Sequence, residues 1–337
     1  MNRLIQGTML TVVIALGALA LAIGLGGPSA PPAMAGVNDP FKAVDYSNMP
    51  ELSHLLARDG QSLAYREYAA AAQPPRGSAV LLHGSAADSR SMHVLAQGLA
   101  AAGYAVYSLD VRGHGGSGAK GHIAYIGQLE DDLQDFMRAV RPVTPATLIG
   151  LSAGGGFALR VAGSERQTLF DHYLLLTPFI SQDAPTYRSA SGGWVDVGLP
   201  RYVALSLLDG FGVRSFNHLP VVSYGLNDAA RAMLTPEYSF NLAQNYRPQR
   251  DYAANIRAIR QPLAVVVGSD DEMFYPDRFA EVFSEAGRRV PVTVVEGANH
   301  IGVSLDPGAI RASLASLERL AGKPAVLTTP NSGRALP

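Results

Sequence analysis

Short, continuous apolar runs separated by longer amphipathic stretches fill the chain from about residue 51 to residue 322. Continuous rather than alternating apolar runs are typical of strands that are covered on both faces. The predicted strands are Ser78–Leu82, Ala105–Leu109, Ala146–Gly150, Tyr173–Leu176, Leu263–Val267 and Val292–Val295. The predicted helices are Met92–Ala102, Gln128–Val140, Ala153–Ala162, Asp277–Ala286 and Pro307–Leu320. This alternation predicts an α/β fold with a doubly wound, mostly parallel sheet.

A hairpin precedes the first parallel strand. Apolar residues at Leu52–Ala57 and Ser62–Tyr68 flank the turn residues Asp59 and Gly60. An Asp-Gly pair between two such runs favours a tight antiparallel connection. We therefore expect the folded domain to begin with two antiparallel strands.

The alternation is interrupted between about residues 180 and 255. Aromatic and leucine residues occur there without strand spacing, namely Trp194, Tyr202, Leu205, Leu207, Leu208, Phe211 and Phe216. We predict a helical lid inserted over the sheet's active edge, with these side chains facing an apolar substrate. A helical segment that only adds to the core is the alternative.

The amino terminus carries an apolar run from Met9 to Leu25, with no charged residue between Arg3 and Asp39. Its length approaches that of a membrane-spanning helix. A signal-peptidase-like site, Ala33-Met34-Ala35 before Gly36, follows it. We expect residues 1–35 to form an uncleaved membrane anchor, with a cleaved signal peptide as the alternative. Either interpretation keeps Arg3 on the cytoplasmic side and predicts an extracytoplasmic domain at residues 51–322, a linker at 36–50 and a polar tail at 323–337.

The composition limits which partners, metal sites and nucleophiles the chain can have. The formal net charge is −1, from 27 basic and 28 acidic side chains, so nothing indicates a nucleic-acid partner. The chain has no cysteine, which excludes disulfides, thiolate metal sites and cysteine nucleophiles. Its eight histidines show no short ligand spacing such as HExxH. We therefore expect catalysis without a metal or another cofactor, while the oligomeric state stays open.

A nucleophile motif follows the strand at Ala146–Gly150. The sequence Gly150-Leu151-Ser152-Ala153-Gly154 lies where this strand turns into a helix. Glycines two positions before and two after Ser152 relieve crowding in a sharp turn that exposes the serine hydroxyl. Ser152 is thus the predicted nucleophile.

A serine hydroxyl needs a base and an orienting acid, which in this kind of fold follow in the order Ser, Asp, His. Ser269-Asp270-Asp271-Glu272 follows one predicted strand, and His300 follows the next. Loop length favours Asp271 as the acid, while Asp270 and Glu272 stay open. The predicted catalytic residues are therefore Ser152, Asp271 and His300.

Backbone amides are the predicted oxyanion donors. One is the N–H of Ala153, directly after the nucleophile, and the other is the N–H of Ser85 in the loop His83-Gly84-Ser85. His83 is expected to pack beneath this loop. The segment from Asp110 to Gly118, which contains His114, is expected to order a neighbouring loop rather than to supply the base.

These motifs resemble the α/β-hydrolase superfamily, more narrowly serine hydrolases of the monoacylglycerol lipase and lysophospholipase type. The resemblance covers about residues 60–320 through His83-Gly84, the Asp110–Ser117 motif, Ser152, Asp271 and His300. It implies a cofactor-free serine esterase that cleaves lipid-like acyl esters through an acyl-serine intermediate. Ser152 disfavours relatives with an aspartate nucleophile, and the absence of tryptophan beside it makes peptidase activity less expected. The alternatives are a catalytically silent binding protein, or a lyase, acyltransferase or perhydrolase with the same residues.

Overall fold

The computed structural model describes residues 2–33, 39–189 and 193–322. The strands are β1 Leu52–Leu56, β2 Ser62–Tyr68, β3 Ser78–Leu82, β4 Ala105–Leu109, β5 Ala146–Leu151, β6 His172–Leu176, β7 Val195–Val197, β8 Pro220–Tyr224, β9 Glu237–Ser239, β10 Leu263–Gly268 and β11 Val292–Val295. The α-helices are α1 Asn2–Leu25, α2 Asp39–Lys42, α3 His93–Ala101, α4 Gln128–Val140, α5 Ala153–Ala162, α6 Leu199–Gly210, α7 Asp228–Met233, α8 Phe240–Asn245, α9 Tyr252–Arg257, α10 Phe279–Glu285 and α11 Pro307–Leu320.

Eight strands form one sheet in the order β1-β2-β4-β3-β5-β6-β10-β11. The pairs β1–β2 and β2–β4 are antiparallel, and the six strands from β4 to β11 along this order are parallel. The doubly wound, mostly parallel sheet predicted from the alternation is therefore confirmed. The carboxyl ends of β5, β10 and β11 lie at one edge, where open α/β sheets place their sites.

Both faces of the central strands β3, β5 and β10 are buried, which explains their continuous apolar runs. Along β3, Val80 and Leu82 pack in one hydrophobic cluster, whereas Ala79 and Leu81 pack in another on the opposite face. All four side chains have no exposed surface. Polar residues at alternate positions would have lost hydration on either face, so the sequence has no alternation there.

The insertion between β6 and β10 contains more than helices. We call residues 193–257 the cap. It contains α6, α7, α8 and α9, as the expectation of a helical lid required, and in addition a three-stranded antiparallel sheet in the order β7-β8-β9. Two of these strands have only three residues. Runs this short show no clear periodicity, so the small sheet was missed.

The chain after α1 packs onto the cap. We call residues 26–33 the strap. The Arg201 side chain donates hydrogen bonds to the carbonyl oxygens of Ile23 (2.7 Å) and Gly24 (3.1 Å), and its backbone N–H donates to Gly26 (3.1 Å). The backbone N–H of Ser29 donates to the Asp196 carboxylate at 2.6 Å. The strap is thus fixed to the cap. Outside the described residues lie Met34, Ala35 and Gly36 of the predicted cleavage site, as well as the 323–337 tail.

Candidate active site

Ser152 occupies the sharp turn between β5 and α5. Its backbone has φ 54° and ψ −116°, a left-handed conformation that is costly for a residue with a side chain. Glycine is required at both flanking positions, because a Cβ at Gly150 would lie 2.2 Å from the Gly154 carbonyl oxygen and one at Gly154 would lie 2.4 Å from the His83 carbonyl oxygen. The turn is fixed by hydrogen bonds from the Gly156 and Phe179 amides to the Ser152 carbonyl oxygen, at 2.9 and 3.0 Å.

The three side chains expected to act together form one hydrogen-bonded line. Ser152 Oγ lies 3.0 Å from His300 Nε2. His300 Nδ1 lies 3.0 and 3.2 Å from the two carboxylate oxygens of Asp271. With Nδ1 donating to the carboxylate, Nε2 is left as the acceptor for the serine hydroxyl. His300 and Asp271 are buried, at 6% and 1% exposure.

The surroundings of Asp271 keep its carboxyl ionised. Burial alone raises the pKa of the Asp271 carboxyl, but the hydrogen bond and charge of His300, with hydrogen bonds from Thr177 and the Phe274 amide, outweigh burial and lower that pKa below its ordinary value. The Thr177 hydroxyl donates to one carboxylate oxygen, and the amides of Met273 and Phe274 donate to the other at 2.8 and 2.9 Å. The carboxylate is therefore fixed in both position and charge.

The two neighbouring acids have other contacts. The Asp270 carboxylate accepts a hydrogen bond from its neighbour Ser269 at 2.8 Å. The Glu272 carboxylate accepts from the backbone N–H of His300 at 3.0 Å and does not contact the imidazole nitrogens. Of the three acids left open by the sequence, Asp271 is the one within hydrogen-bond distance of the His300 ring.

Two amides expected as oxyanion donors lie beside Ser152. Ser85 and Ala153 both line the cavity that contains Ser152. Ala153 is the first residue of α5, so its N–H has no acceptor within the helix. A Cβ on Gly84 would lie 3.5 Å from the Ser152 Cβ, which places the loop that carries Ser85 directly against the nucleophile turn.

The two other histidines of these motifs are buried beneath the loops. His83 Nε2 accepts from the Val111 amide at 3.2 Å. His114 Nδ1 lies 3.1 Å from the Val111 carbonyl oxygen and its Nε2 lies 2.6 Å from the Tyr238 hydroxyl. That hydroxyl accepts from the Ala86 amide at 2.7 Å, so Tyr238 of the cap contacts both His114 and the Ser85 loop. Burial and the neighbouring His83 lower the pKa of His114 well below its ordinary value.

Two cavities meet at Ser152. The larger, which we call the cap cavity, has a volume of about 270 Å³ and lies between the nucleophile turn and the cap. The smaller, the rear cavity, has about 110 Å³ and lies towards Phe41, Leu226 and Leu234. Aromatic side chains line much of the cap cavity: Phe179, Tyr187, Trp194, Tyr202, Tyr224, Tyr238, Tyr246 and Phe274. Within the described ranges, no group of three or more histidine and acidic side chains is placed to hold a metal ion.

The apolar residues of the cap divide among the cavity, a small hydrophobic cluster and the surface. Leu205 and Leu208 pack in that cluster and line neither cavity, so the expectation that they face a substrate is wrong. Trp194 lines both cavities, and Tyr202 lines the cap cavity. Phe211, Leu207 and Phe216 are 85%, 57% and 41% exposed, so the expectation that these three face a substrate is wrong. They lie on or just after the outer face of α6, and the sequence had no periodic signal that separated the inner from the outer face.

Sequence reasoning missed Thr177 and Tyr238. Thr177 follows β6 directly and has φ 41°, which turns its hydroxyl towards Asp271. Its position after a strand at the active edge was an available signal. Tyr238 lies in β9, 124 positions from His114, and nothing local in the sequence marks it.

The fold and the geometry of this edge define an α/β-hydrolase. A scan against protein-family models agrees, since the family described as Hydrolase_4 (serine aminopeptidase, S33) matches residues 73–303. The chain belongs to this family of α/β-hydrolases, and the expected resemblance to monoacylglycerol-lipase-type hydrolases is confirmed.

The proteins that this chain resembles include lipases and a phospholipase. A monoacylglycerol lipase of Mycolicibacterium smegmatis is 41% identical over 88 residues, which cover 24% of this chain and 31% of that relative. The solved monoglyceride lipase of Saccharomyces cerevisiae aligns with a TM-score of 0.60 at 20% identity, over 83% of this chain and 97% of its own. A bacterial membrane phospholipase A aligns with a TM-score of 0.56 at 20% identity, over 95% of this chain and 99% of its own. The two structural likenesses show the fold.

Proposed function

We propose that this protein is a serine hydrolase of carboxylic esters. Ser152 Oγ attacks the ester carbonyl carbon while its proton passes to His300 Nε2, and Asp271 stabilises the resulting imidazolium. His300 returns the proton to the departing alcohol, which leaves an acyl-serine. Water then attacks the acyl carbon, again giving its proton to His300. His300 returns this proton to the Ser152 oxygen as the acyl–oxygen bond breaks, which releases the acid and restores the serine hydroxyl. The 3.0 Å contacts that join Ser152, His300 and Asp271 are the observation that carries this proposal.

Two backbone amides stabilise the negative charge that develops on the carbonyl oxygen. The N–H groups of Ser85 and Ala153 fit this role because both line the cavity at Ser152. Loss of one such donor typically costs about 10²- to 10³-fold in kcat. The hydrogen bond from the Ala86 amide to Tyr238 fixes the loop that carries Ser85.

The substrate is a lipid-like acyl ester of the monoacylglycerol or lysophospholipid type. The aromatic lining of the cap cavity supports this class, because apolar walls stabilise an acyl chain by removing it from water. The smaller rear cavity lies on the other side of Ser152 and can receive the opposite part of the ester. The monoacylglycerol lipase among the relatives supports the same class.

The enzyme is anchored in the membrane by an uncleaved α1, with the hydrolase domain outside the cytoplasm. The helix stretch Gln6–Leu25 is apolar and has no buried residues. Cleavage after Ala35 would remove the strap and its hydrogen bonds to Arg201 and Asp196, which supports retention. Helix α6 packs on α1. The outer face of α6 is also apolar, with the exposed residues Leu199, Val203, Leu207 and Phe211 spaced four apart. This surface continues that of α1, as a lipid-facing surface would.

Labelling with a fluorophosphonate probe tests the function. The full-length chain in detergent should be labelled, and Ser152→Ala should not be. A p-nitrophenyl ester series from acetate to laurate then tests the substrate class, with the highest kcat/KM expected for medium or long chains. Turnover without labelling would exclude the serine mechanism, whereas labelling with a flat chain-length profile would exclude only the lipid-like substrate.

Protease treatment of intact, outer-layer-permeabilised cells tests the location. The hydrolase domain should be degraded, and the amino terminus of the purified chain should precede α1. A domain that is protected from protease would contradict export. A mature chain that begins at Gly36 would contradict the anchor alone.

A further inference from the structure

Arg247 has no acidic partner among the described residues, in contrast to Arg112 and Arg160. Arg112 pairs with Asp59 and Asp132, and Arg160 pairs with Glu130. Arg247 forms no ion pair among the described residues, and its Nε is buried without any hydrogen-bond partner. Its guanidinium contacts the Phe179 ring, with 5.6 Å to the centroid, and donates one long hydrogen bond of 3.4 Å to the Tyr202 hydroxyl. The half-buried guanidinium of Arg247 therefore has N–H donors that lack a hydrogen-bond acceptor.

The guanidinium belongs to the cap cavity, the same cavity that contains Ser152. Among the described residues that line it, Arg247 is the one with a charged side chain. Its backbone is held on both sides. The Tyr246 hydroxyl donates to the His83 carbonyl oxygen, and Pro248 lies so close to α5 that a Cβ on Gly156 would be 2.8 Å from it. The position of Arg247 is therefore built into the fold rather than left to a loose surface loop.

Tyr202 adds a second donor at the same place. Its hydroxyl oxygen accepts from Gln244 at 2.9 Å and from Arg247 at 3.4 Å. A tyrosine hydroxyl has one hydrogen to donate, and these two contacts leave that hydrogen free. A guanidinium and a free O–H beside each other in an apolar cavity fit a carboxylate or phosphate oxygen.

We propose that Arg247 and Tyr202 form an anion-binding subsite, so that the preferred substrate is an ester with a second, negatively charged group. This inference rests on the proposed ester hydrolysis at Ser152. The charged group is a carboxylate at the far end of an acyl chain that occupies the cap cavity, or a phosphate of the alcohol part where the ester binds the other way round, with its acyl chain in the rear cavity. Phe179 connects the subsite to the reaction centre, since its ring contacts Arg247 and its amide binds the Ser152 carbonyl oxygen.

Matched pairs of esters test the subsite. p-Nitrophenyl hydrogen suberate carries a terminal carboxylate, and p-nitrophenyl octanoate is its neutral counterpart of equal length. An acyl lysophosphatidic acid and the monoacylglycerol with the same chain form the second pair. In Arg247→Met the kcat/KM ratio of charged to neutral ester should fall about tenfold or more in one pair, mainly through KM, because a charge-assisted contact is lost. Tyr202→Phe should lower the same ratio less, and Arg247→Lys should retain part of it.

Arg250→Met is the control, because it removes an exposed arginine from the same loop and should leave both ratios unchanged. A fall in the first pair identifies an acyl carboxylate, and a fall in the second identifies a phosphate. Ratios that change in neither pair overturn the subsite while leaving the hydrolase intact. If no ester is turned over at all, the proposed function fails, and calorimetric titration of suberate and of the lysophosphatidic acid into the Ser152→Ala protein, with and without Arg247→Met, still decides the subsite. Equal Kd values for both anions overturn it.

Discussion

The catalytic edge of the sheet and the cap cavity differ in how their charged side chains are paired. At the sheet edge, Asp271 accepts hydrogen bonds from His300 and Thr177, and in the neighbouring loop Arg112 pairs with Asp59 and Asp132. In the cap, Arg247 has a buried nitrogen without a partner. Satisfied networks fix a single geometry, whereas unsatisfied groups facing a cavity are available to a ligand. Under the proposed function, bond cleavage takes place at the sheet edge and the cap selects the substrate.

Ser152→Ala should have the largest effect, because it removes the reacting atom itself. We expect kcat/KM for every ester to fall about 10⁴-fold or more, with little change in Tm. The fall should be equal for short and long chains, which separates this change from any change in the cap. Wild-type turnover in the pure variant would show that the nucleophile lies elsewhere.

Asp271→Asn should cost about 10²- to 10⁴-fold in kcat, since the amide cannot hold His300 in the required tautomer. Asp270→Asn is the matched control. Its carboxylate contacts Ser269 rather than His300, so we expect less than about a threefold change. Equal losses in both variants, compared at the same folded fraction, would contradict the assignment.

Trp194→Ala should change selectivity rather than chemistry. Trp194 lines both cavities, and each buried methylene of a substrate contributes about 0.8 kcal/mol. We expect the octanoate-to-acetate ratio of kcat/KM to fall about tenfold, with acetate turnover changed much less. Phe211→Ala, which alters a side chain that is 85% exposed, should leave the ratio unchanged. The opposite ranking would mean that the cap rearranges around the substrate.

The smallest expected effect is on the pH dependence of stability and comes from His114, which contacts Tyr238 of the cap. Because burial lowers the pKa of His114, the unfolded chain binds a proton there that the folded chain does not, as pH falls below 6.5. The free energy of unfolding should therefore decrease on acidification, by at most about 1.4 kcal/mol per pH unit for this one group. Denaturant titrations between pH 5 and 8 should show a shallower slope for His114→Gln. His218→Gln, which changes an exposed histidine, is the control. If the pH dependence of the free energy of unfolding were the same in His114→Gln as in the wild type, the predicted effect of His114 would be refuted.

The sheet could be predicted from the sequence because the burial of each strand leaves an apolar run within that strand's own residues. Strands buried on both faces must be continuously apolar, and β3 and β4 have the predicted bounds. Ser152, Asp271 and His300 could be located because each follows a strand end. By contrast, Thr177, Tyr238 and Arg247 acquire their roles from partners that are distant in sequence, and the short strands of the cap sheet leave no periodic trace. The surface position of Phe211 was also missed, because no periodic signal in the sequence separates the inner from the outer face of α6.

The contacts of Arg201 determine which part of the enzyme can move. They tie the cap to the end of α1, so if α1 spans a bilayer, as proposed, they hold the cap next to the lipid surface. An opening of the cavity would then move the catalytic sheet relative to the cap, rather than the cap relative to the bilayer. A distance probe between the bilayer and α11 would report each opening event, whereas a probe on α6 would stay silent.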